Sequence, residues 1–192
     1  MDTIFSSASN FQKSAIKIVR VSGKSSKIVP SVFSFKATKP RIASLRKLYD
    51  HKNKIIDNVL VIFFPAPFTA TGEDVIAIHF HGSVVIEKKI FQMLSKQKNF
   101  RLAEPGEFTR RAFLNGRLDL SQAEAVLELV QSRSVDSARA ATQLLCGGLG
   151  AQMSAVRDEL LASLVELEAA LDFEEGDSQD LLPTEISNHV GQ

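Results

Sequence analysis

The chain has 192 residues with a net charge of +1, of which 44% are apolar and 23% charged, as expected for one large or two small globular domains. Its single cysteine, Cys146, excludes an internal disulfide, and the absence of a CxxC or His/Cys cluster gives no sign of a metal site. No apolar run approaches the ~20 residues of a membrane helix. The start, MDTIFSSASN, lacks the regions of a secretory signal, so we expect a cytoplasmic protein with no membrane contact.

The charge is distributed unevenly along the chain. Residues 1–120 contain 20 Lys/Arg and 9 Asp/Glu, whereas residues 121–192 contain 3 and 13. One interpretation is two domains with differently charged solvated faces. The other is that the basic part meets an anionic ligand or RNA, while the acidic part repels nucleic acid or docks a partner.

The first predicted strand is AIKIVRV, at residues 15–21, because it alternates and is rich in β-branched residues. It places Arg20 on the same face as Ile16 and Ile18. An arginine on an apolar face needs an acceptor, since an unpaired buried charge is costly, unless it reaches solvent at the strand end. A short helix is expected over residues 24–32, and residues 33–36 are a candidate strand.

The next elements form a predicted hairpin, in which residues 41–49 and 54–64 flank a polar connection at 50–53. The continuous apolar run at 59–64 predicts a strand buried on both faces. In the following strand, residues 75–81, Ala77, His79 and His81 share one face. Two histidines at this spacing can share a metal or an anion, but no third ligand is in view, so surface or core histidines are favoured.

A helix capped by Ser83 or Gly82 is predicted to run to about Lys98, and a short strand follows at 100–103. The apolar stripe of this helix is Ile86, Ile90, Met93 and Leu94. Because hairpin-linked strands are mixed with helices, we predict an α+β fold, with a mixed-sheet domain and packed helices followed by an all-α segment of long helices.

A turn at Pro105-Gly106 opens the junction between the two parts. A short helix should follow it and end at Asn115-Gly116. Its apolar side is predicted to consist of Phe108, Ala112, Phe113 and Leu114, with the charged Glu107, Arg110 and Arg111 mostly off it.

The second part begins with Ser121-x-x-Glu124, which has the pattern of a capping box at the start of a helix over about 122–133. Ser134 or Asp136 can cap the next helix. A leucine-rich stripe from Leu145 to Leu171 keeps its spacing through Gly147-Gly148, which predicts one continuous helix. The stripe is typical of the core of a helix bundle, and it can also leave an apolar surface for another chain. An acidic loop is predicted at 174–180 and the start of another helix at 183. Because the sequence ends before that helix is complete, we expect it to be a fragment.

The run PGEFTRRAFLNGRLDLSQAEAV, residues 105–126, resembles the signature around the N-terminal domain boundary of the MnmE/TrmE family of tRNA-modification GTPases. Shorter matching pieces occur in the same order at residues 2–4, 18–23, 64–65, 71–75, 81–82 and 169–173. The resemblance implies a domain at residues 1–120 that binds a one-carbon tetrahydrofolate and forms a homodimer. Residues 121–192 would be the first part of a helical domain.

The resemblance also implies partners and cofactors of the full family protein. These are a GidA (MnmG) flavoprotein, tRNA carrying the wobble uridine that receives an aminomethyl-type group, and GTP with Mg²⁺ and K⁺ in a separate GTP-binding domain. No GxxxxGK[ST] loop occurs in this sequence, so we expect no GTP hydrolysis from this chain. The family's catalytic cysteine lies at the far C-terminus and Cys146 does not match it, so no catalytic residue or metal ligand is assigned.

Three positions carry the implied folate site. Arg20 matches a family arginine that contacts the folate, and Arg117 stands where the family usually has lysine. Ala77 stands where the family usually has a glutamate that accepts hydrogen bonds from the pterin, which a methyl group cannot do. The segment Ser7–Ser14 also contains no glycine, unlike the family's glycine-rich loop.

These departures leave two alternatives open, a ligand-free structural dimerisation module of a truncated or degenerate member and a folate domain like that of the glycine-cleavage T-protein. A further possibility is direct RNA contact through seven basic residues, Lys36, Lys39, Arg41, Arg46, Lys47, Lys52 and Lys54.

Overall fold

The computed structural model describes residues 2–9 and 14–172, and the chain divides into two compact units after Ala123. Six strands of the first unit form one mixed sheet in the order β3-β4-β5-β2-β1-β6, antiparallel except between β1 and β6. Their bounds are β1 Thr3–Ser7, β2 Ile16–Ser22, β3 Ser44–Tyr49, β4 Ile55–Phe64, β5 Val75–His81 and β6 Phe100–Leu102. The helices are a 3₁₀ turn Lys24–Ile28 with α1 Val29–Val32, α2 Val84–Ser95 and α3 Glu107–Leu114.

The core of the first unit lies on one face of this sheet. Alternate residues of β2, β4 and β5 are buried there, and α2 covers them with Ile90, Met93 and Leu94. The Ser83 side chain caps α2 by accepting a hydrogen bond from the Val85 amide. The predicted α+β class, the hairpin of β3 and β4 and the apolar stripe of α2 are therefore confirmed.

Two predictions about the strands of this unit were wrong, and one strand was not predicted. Residues 33–36 do not form a strand: residues 33 and 34 form a turn, in which Ser34 has a φ of 52° and after which the Phe35 amide donates to the Pro30 carbonyl. Strand β4 is buried on one face only, with Leu60 exposed and Ile62 half-buried on the other. Strand β1 was not predicted; its five residues are too few for a clear alternation, yet it pairs with both β2 and β6.

The second unit contains helices α4 Leu120–Gln131, which begins just before the division, α5 Val135–Leu145 and α6 Gly148–Asp172. Ser134 caps α5 as predicted. The predicted capping box of α4 was wrong, since Asp119 and Gln122 form the reciprocal pair instead: the Gln122 amide donates to Asp119 Oδ1 over 2.8 Å, and the Asp119 amide donates to Gln122 Oε1 over 2.9 Å.

The predicted helix through the glycine pair was also wrong. Gly147 has a φ of 83°, and its amide donates to the Leu144 carbonyl, which ends α5 before α6 begins. The apolar stripe keeps its phase across this break, and for that reason the pattern alone did not reveal it. The acidic loop at 174–180 and the helix start at 183 lie outside the described residues. Within the described chain, no helix has the length and apolar character needed to cross a membrane.

Candidate functional site

A cavity of about 300 Å³ lies on the face of the sheet opposite the core. Alternation along each strand produces it, because the residues between the core positions of β2, β4 and β5 all project to this side. Strand register sets Arg20 opposite Ala77 and Ile18 opposite His79 on its floor. Its walls are Ile62 and Phe64 from β4, Ala70 and Val75 from the β4–β5 connection and the start of β5, and Phe108 from α3.

Arg20 and His79 are the polar side chains that line this otherwise apolar cavity. The Arg20 side chain is exposed and makes no hydrogen bond or ion pair with any residue that the structure describes. His79 is half-buried. Burial lowers the pKa of the His79 imidazole, and the positive charge of Arg20 lowers it further. The imidazole is therefore neutral at neutral pH, and the cavity presents one cation and one uncharged ring.

His79 and His81 do not act as a pair. The Nδ1 atom of His81 lies 2.7 Å from Asp57 Oδ1, and its backbone amide donates to the other carboxylate oxygen over 2.9 Å. Among the described residues, no group of three or more His, Cys, Asp or Glu side chains is arranged to hold a metal ion.

The structure brings two of the three predicted site residues together. Arg20 and Ala77 meet on the cavity floor, where Ala77 contributes only its methyl group. Arg117 does not line the cavity. Its guanidinium lies 5.8 Å from the ring centroid of Phe68, in a cation–π contact with the loop that leads to the wall residue Ala70.

Helix α3 presents a charged face to the protein, which corrects the predicted apolar face. Glu107, Arg111 and Ala112 are its buried residues, whereas Phe113 and Leu114 are 41% and 66% exposed. Burial of these charges is possible because they pair: Arg111 Nη2 lies 3.0 Å and Arg101 Nη2 2.5 Å from Glu107 Oε1. The hydrogen bond from Arg101 is the largest cause that lowers the Glu107 pKa to about 2.

The ionic cluster of Arg101, Glu107 and Arg111 also holds in place the elements that carry the cavity walls. Arg111 Nη1 lies 3.1 Å from Glu73 Oε2, which also accepts a hydrogen bond from Ser22 Oγ over 2.8 Å. The Asn115 side chain donates to the Thr71 carbonyl over 2.7 Å. These bonds join α3, the β4–β5 connection and β2. Sequence reasoning missed this role, although the i, i+4 spacing of Glu107 and Arg111 is a signal that could have indicated an ion pair.

Two comparisons with known proteins bear on this arrangement. A family model described as GTP-binding protein TrmE N-terminus matches residues 3–117, and one described as MnmE helical domain matches residues 120–192. The tRNA modification GTPase MnmE of Methylobacterium radiotolerans is 40% identical over 93% of this chain and 41% of its own length. That of Aliarcobacter butzleri is 39% identical over 98% of this chain and 42% of its own length.

The MnmE protein of Roseobacter denitrificans is 35% identical over 99% of this chain and 44% of its own length. The chain thus spans about two fifths of the length of these curated relatives. The two family models together cover nearly all of the sequence, in the order that the resemblance predicted. This chain belongs to the MnmE/TrmE family and corresponds to its N-terminal region.

Proposed function

We propose that this chain is the N-terminal region of a tRNA-modification GTPase and that the cavity on its sheet binds a one-carbon tetrahydrofolate. The observation that carries the proposal is the Arg20 guanidinium, which faces an apolar cavity and lacks a partner among the described residues. An acceptor on a ligand that entered the cavity would form a charge-assisted hydrogen bond with this exposed donor. A carbonyl or carboxylate oxygen of a folate supplies that acceptor.

The size of the cavity fits one end of such a ligand. A volume of about 300 Å³ is at the lower limit of small-molecule sites. In this proposal the cavity, whose walls include Phe64 and Phe108, would hold the pterin ring of the folate. When bound, the folate supplies a one-carbon unit. The chain's own residues hold and orient the ring, and the apolar walls keep water away from it.

Calorimetric titration of the purified chain with 5-formyltetrahydrofolate tests the proposal. We expect micromolar binding in the native chain and at least a tenfold loss in Arg20→Ala. Arg139→Ala is the matched control, because Arg139 is an exposed arginine of the second unit. A folded native sample that releases no heat on titration would overturn the folate assignment.

We also propose that the first unit forms a homodimer through the face that contains the cavity. Register places Leu45 of β3 opposite Leu60, and Leu60 opposite His79, so an apolar row extends from the cavity to the sheet edge. Leu45 is 70% exposed. Exposed apolar rows of this kind favour a protein partner. Light scattering of the native chain and of Leu45→Lys tests this, and a monomeric native chain would contradict it.

The alternative of a ligand-free dimerisation module is favoured by one observation, the methyl group of Ala77 opposite Arg20. The folate titration distinguishes the folate-binding domain from the ligand-free module, since a dimeric sample that releases no heat supports the ligand-free module. The match of residues 3–117 to the TrmE N-terminal model argues against a T-protein-like enzyme. The names of the curated relatives refer to tRNA modification and GTPase activity. In this proposal those activities, and the flavoprotein partner that the resemblance implies, involve more than the residues of this chain.

Contact with tRNA has its best candidate surface at the sheet edge. Arg46 and Lys47 lie on the edge strand β3, and Lys52 and Lys54 lie at its hairpin. None of these four forms an ion pair within the described part of the chain. Phosphate contacts make affinity fall steeply with salt. A Lys47→Glu/Lys52→Glu variant should therefore show weaker tRNA binding with a smaller salt dependence, whereas unchanged binding would exclude this surface.

A further inference from the structure

The polar side chains of the cavity differ in the hydrogen-bond donors and acceptors that they offer a ligand. Arg20 carries only donors. Ala77, directly opposite it, offers no polar side-chain atom, and the remaining lining residues are aliphatic or phenyl. A nitrogen heterocycle with exocyclic or ring N–H groups needs acceptors as well as donors. Among the lining side chains only His79 can supply one, through the unprotonated nitrogen of a neutral imidazole.

His79 is also placed where such a bond can form. It follows Ala77 by two residues on β5, so both side chains project to the same face. Its register partner is Ile18, two residues before Arg20 on β2. The imidazole and the guanidinium therefore lie at diagonal positions of the cavity floor, within reach of one planar ring. Neither His79 nitrogen is engaged in a hydrogen bond with the described residues.

We propose that His79 is a specificity-determining residue of this cavity, with its neutral imidazole accepting a hydrogen bond from an N–H group of the ligand ring while Arg20 donates to a carbonyl or carboxylate oxygen. This inference rests on the proposed folate site. It gives each residue one role in recognising the ligand: Arg20 recognises an acceptor atom, and His79 recognises a donor group. A site built for such a bond rejects analogues that lack the donor, because its own acceptor would then be buried without a partner.

The geometry also predicts how binding depends on pH. The titratable or charged groups that face the His79 ring from β2, β4, α3 and the β4–β5 connection reduce to Arg20, since the other described lining residues do not titrate. Protonation removes the acceptor and adds a second positive charge beside Arg20. Burial and Arg20 both lower the pKa of His79. Because this pKa lies below the usual histidine value of about 6.5, affinity should be constant at and above neutral pH and should decrease only in the acid range below that usual value.

Three variants test the assignment by titration with 5-formyltetrahydrofolate. His79→Leu removes the acceptor and should weaken binding at least tenfold. His79→Gln keeps an acceptor that does not titrate, so its affinity should stay within about threefold of native and lose the decrease at acid pH. His81→Gln is the control, because His81 is bonded to Asp57 and is absent from the cavity lining; it should leave both affinity and pH profile unchanged.

A second readout separates recognition from packing. The native chain should prefer the folate over its 2-desamino analogue, whereas His79→Leu should bind the two almost equally. Thermal unfolding of each variant reports whether the fold is kept. If the native chain binds and Arg20→Ala loses binding, while His79→Leu binds normally and still discriminates, the inference is overturned and the folate site stands. If the native chain does not bind, both are overturned.

Discussion

Replacement of Glu107 by glutamine tests the ionic cluster that fixes α3 to the sheet. The Glu107 carboxylate is almost completely buried and accepts hydrogen bonds from Arg101 over 2.5 and 2.8 Å, from Arg111 over 3.0 Å and from the Glu104 amide over 2.8 Å. Glutamine keeps the shape and one acceptor oxygen but removes the negative charge. Among the residues that the structure describes, the buried Arg111 guanidinium would keep Asp2 and Glu73 as its anionic partners.

The expected cost follows from the pKa of the carboxyl group. Its pKa is about 2 in the folded protein, against 4.5 for the unperturbed group. A difference of this size corresponds to about 3 kcal/mol of preference for the charged form in the folded state. Removal of one partner from a buried ion pair costs a similar amount, about 3–5 kcal/mol in general. We therefore expect Glu107→Gln to lower the free energy of unfolding by about 3 kcal/mol.

Urea unfolding followed by circular dichroism at pH 7 measures this loss. The control is Glu104→Gln, because the Glu104 carboxylate is exposed and pairs with the exposed Arg110 at 3.2 Å. An exposed pair contributes less than about 1 kcal/mol. A loss below about 1 kcal/mol in both variants would show that the buried cluster contributes nothing beyond a surface pair, and the reasoning would be refuted.

The same carboxylate predicts the acid sensitivity of the fold. Its pKa is depressed on folding, so its contribution is complete above the unfolded value of 4.5 and is lost as the pH falls towards about 2. The native chain should lose stability steeply between these values. The difference in unfolding free energy between native and Glu107→Gln should shrink over the same window, and a difference that stays constant would exclude Glu107 as the titrating group.

Three further substitutions test other parts of the fold, each by urea unfolding. Gly82→Ala should cost more than about 2 kcal/mol, because a Cβ atom there would lie 1.9 Å from the Ser14 carbonyl oxygen; a smaller loss would contradict that close approach. Lys17→Met should cost about 3–5 kcal/mol by leaving the buried Glu87 carboxylate, 2.6 Å away, without this cation, whereas Lys17→Met/Glu87→Leu should recover most of the loss. Equal stability of single and double variants would refute the pairing. Ser134→Ala should cost about 1 kcal/mol by removing the cap of α5, and no change would show that the cap is dispensable.

Periodicity and turn chemistry predicted those elements whose buried face is apolar. The β3–β4 hairpin, strand β5 and the stripe of α2 all follow this rule, since one face of each packs in the core. Arg20 was recognised as a candidate because it is a charged residue on an otherwise apolar strand face, and it does line the cavity. The location of Arg117 against Phe68 was not predictable, because it depends on a loop conformation that the sequence pattern does not specify.

The wrong predictions for α3 and for the helix through Gly147 share a physical cause: each structure depends on an interaction or a single residue that the apolar pattern does not record. The buried residues of α3 are Glu107, Arg111 and Ala112. The two charged ones pair with the nearby Arg101 and with Asp2 and Glu73 from distant parts of the chain. A sequence pattern that considers each residue separately predicts that charged residues are exposed. A charged residue can be buried, however, when an oppositely charged partner is buried with it. The break at Gly147 is similar, since a single residue with positive φ ends a helix without altering the spacing of leucines on either side.

The ionic cluster and the cavity are linked through one helix. Phe108 lies between Glu107 and Arg111 in sequence, and its ring forms a wall of the cavity while its neighbours are held by Arg101, Asp2 and Glu73. Loss of the Glu107 charge should therefore loosen Phe108 without removing any ligand contact. Glu107→Gln would then weaken folate binding while preserving the discrimination by His79 against the 2-desamino analogue. If that discrimination were lost too, the cluster would be shaping the cavity floor rather than this wall.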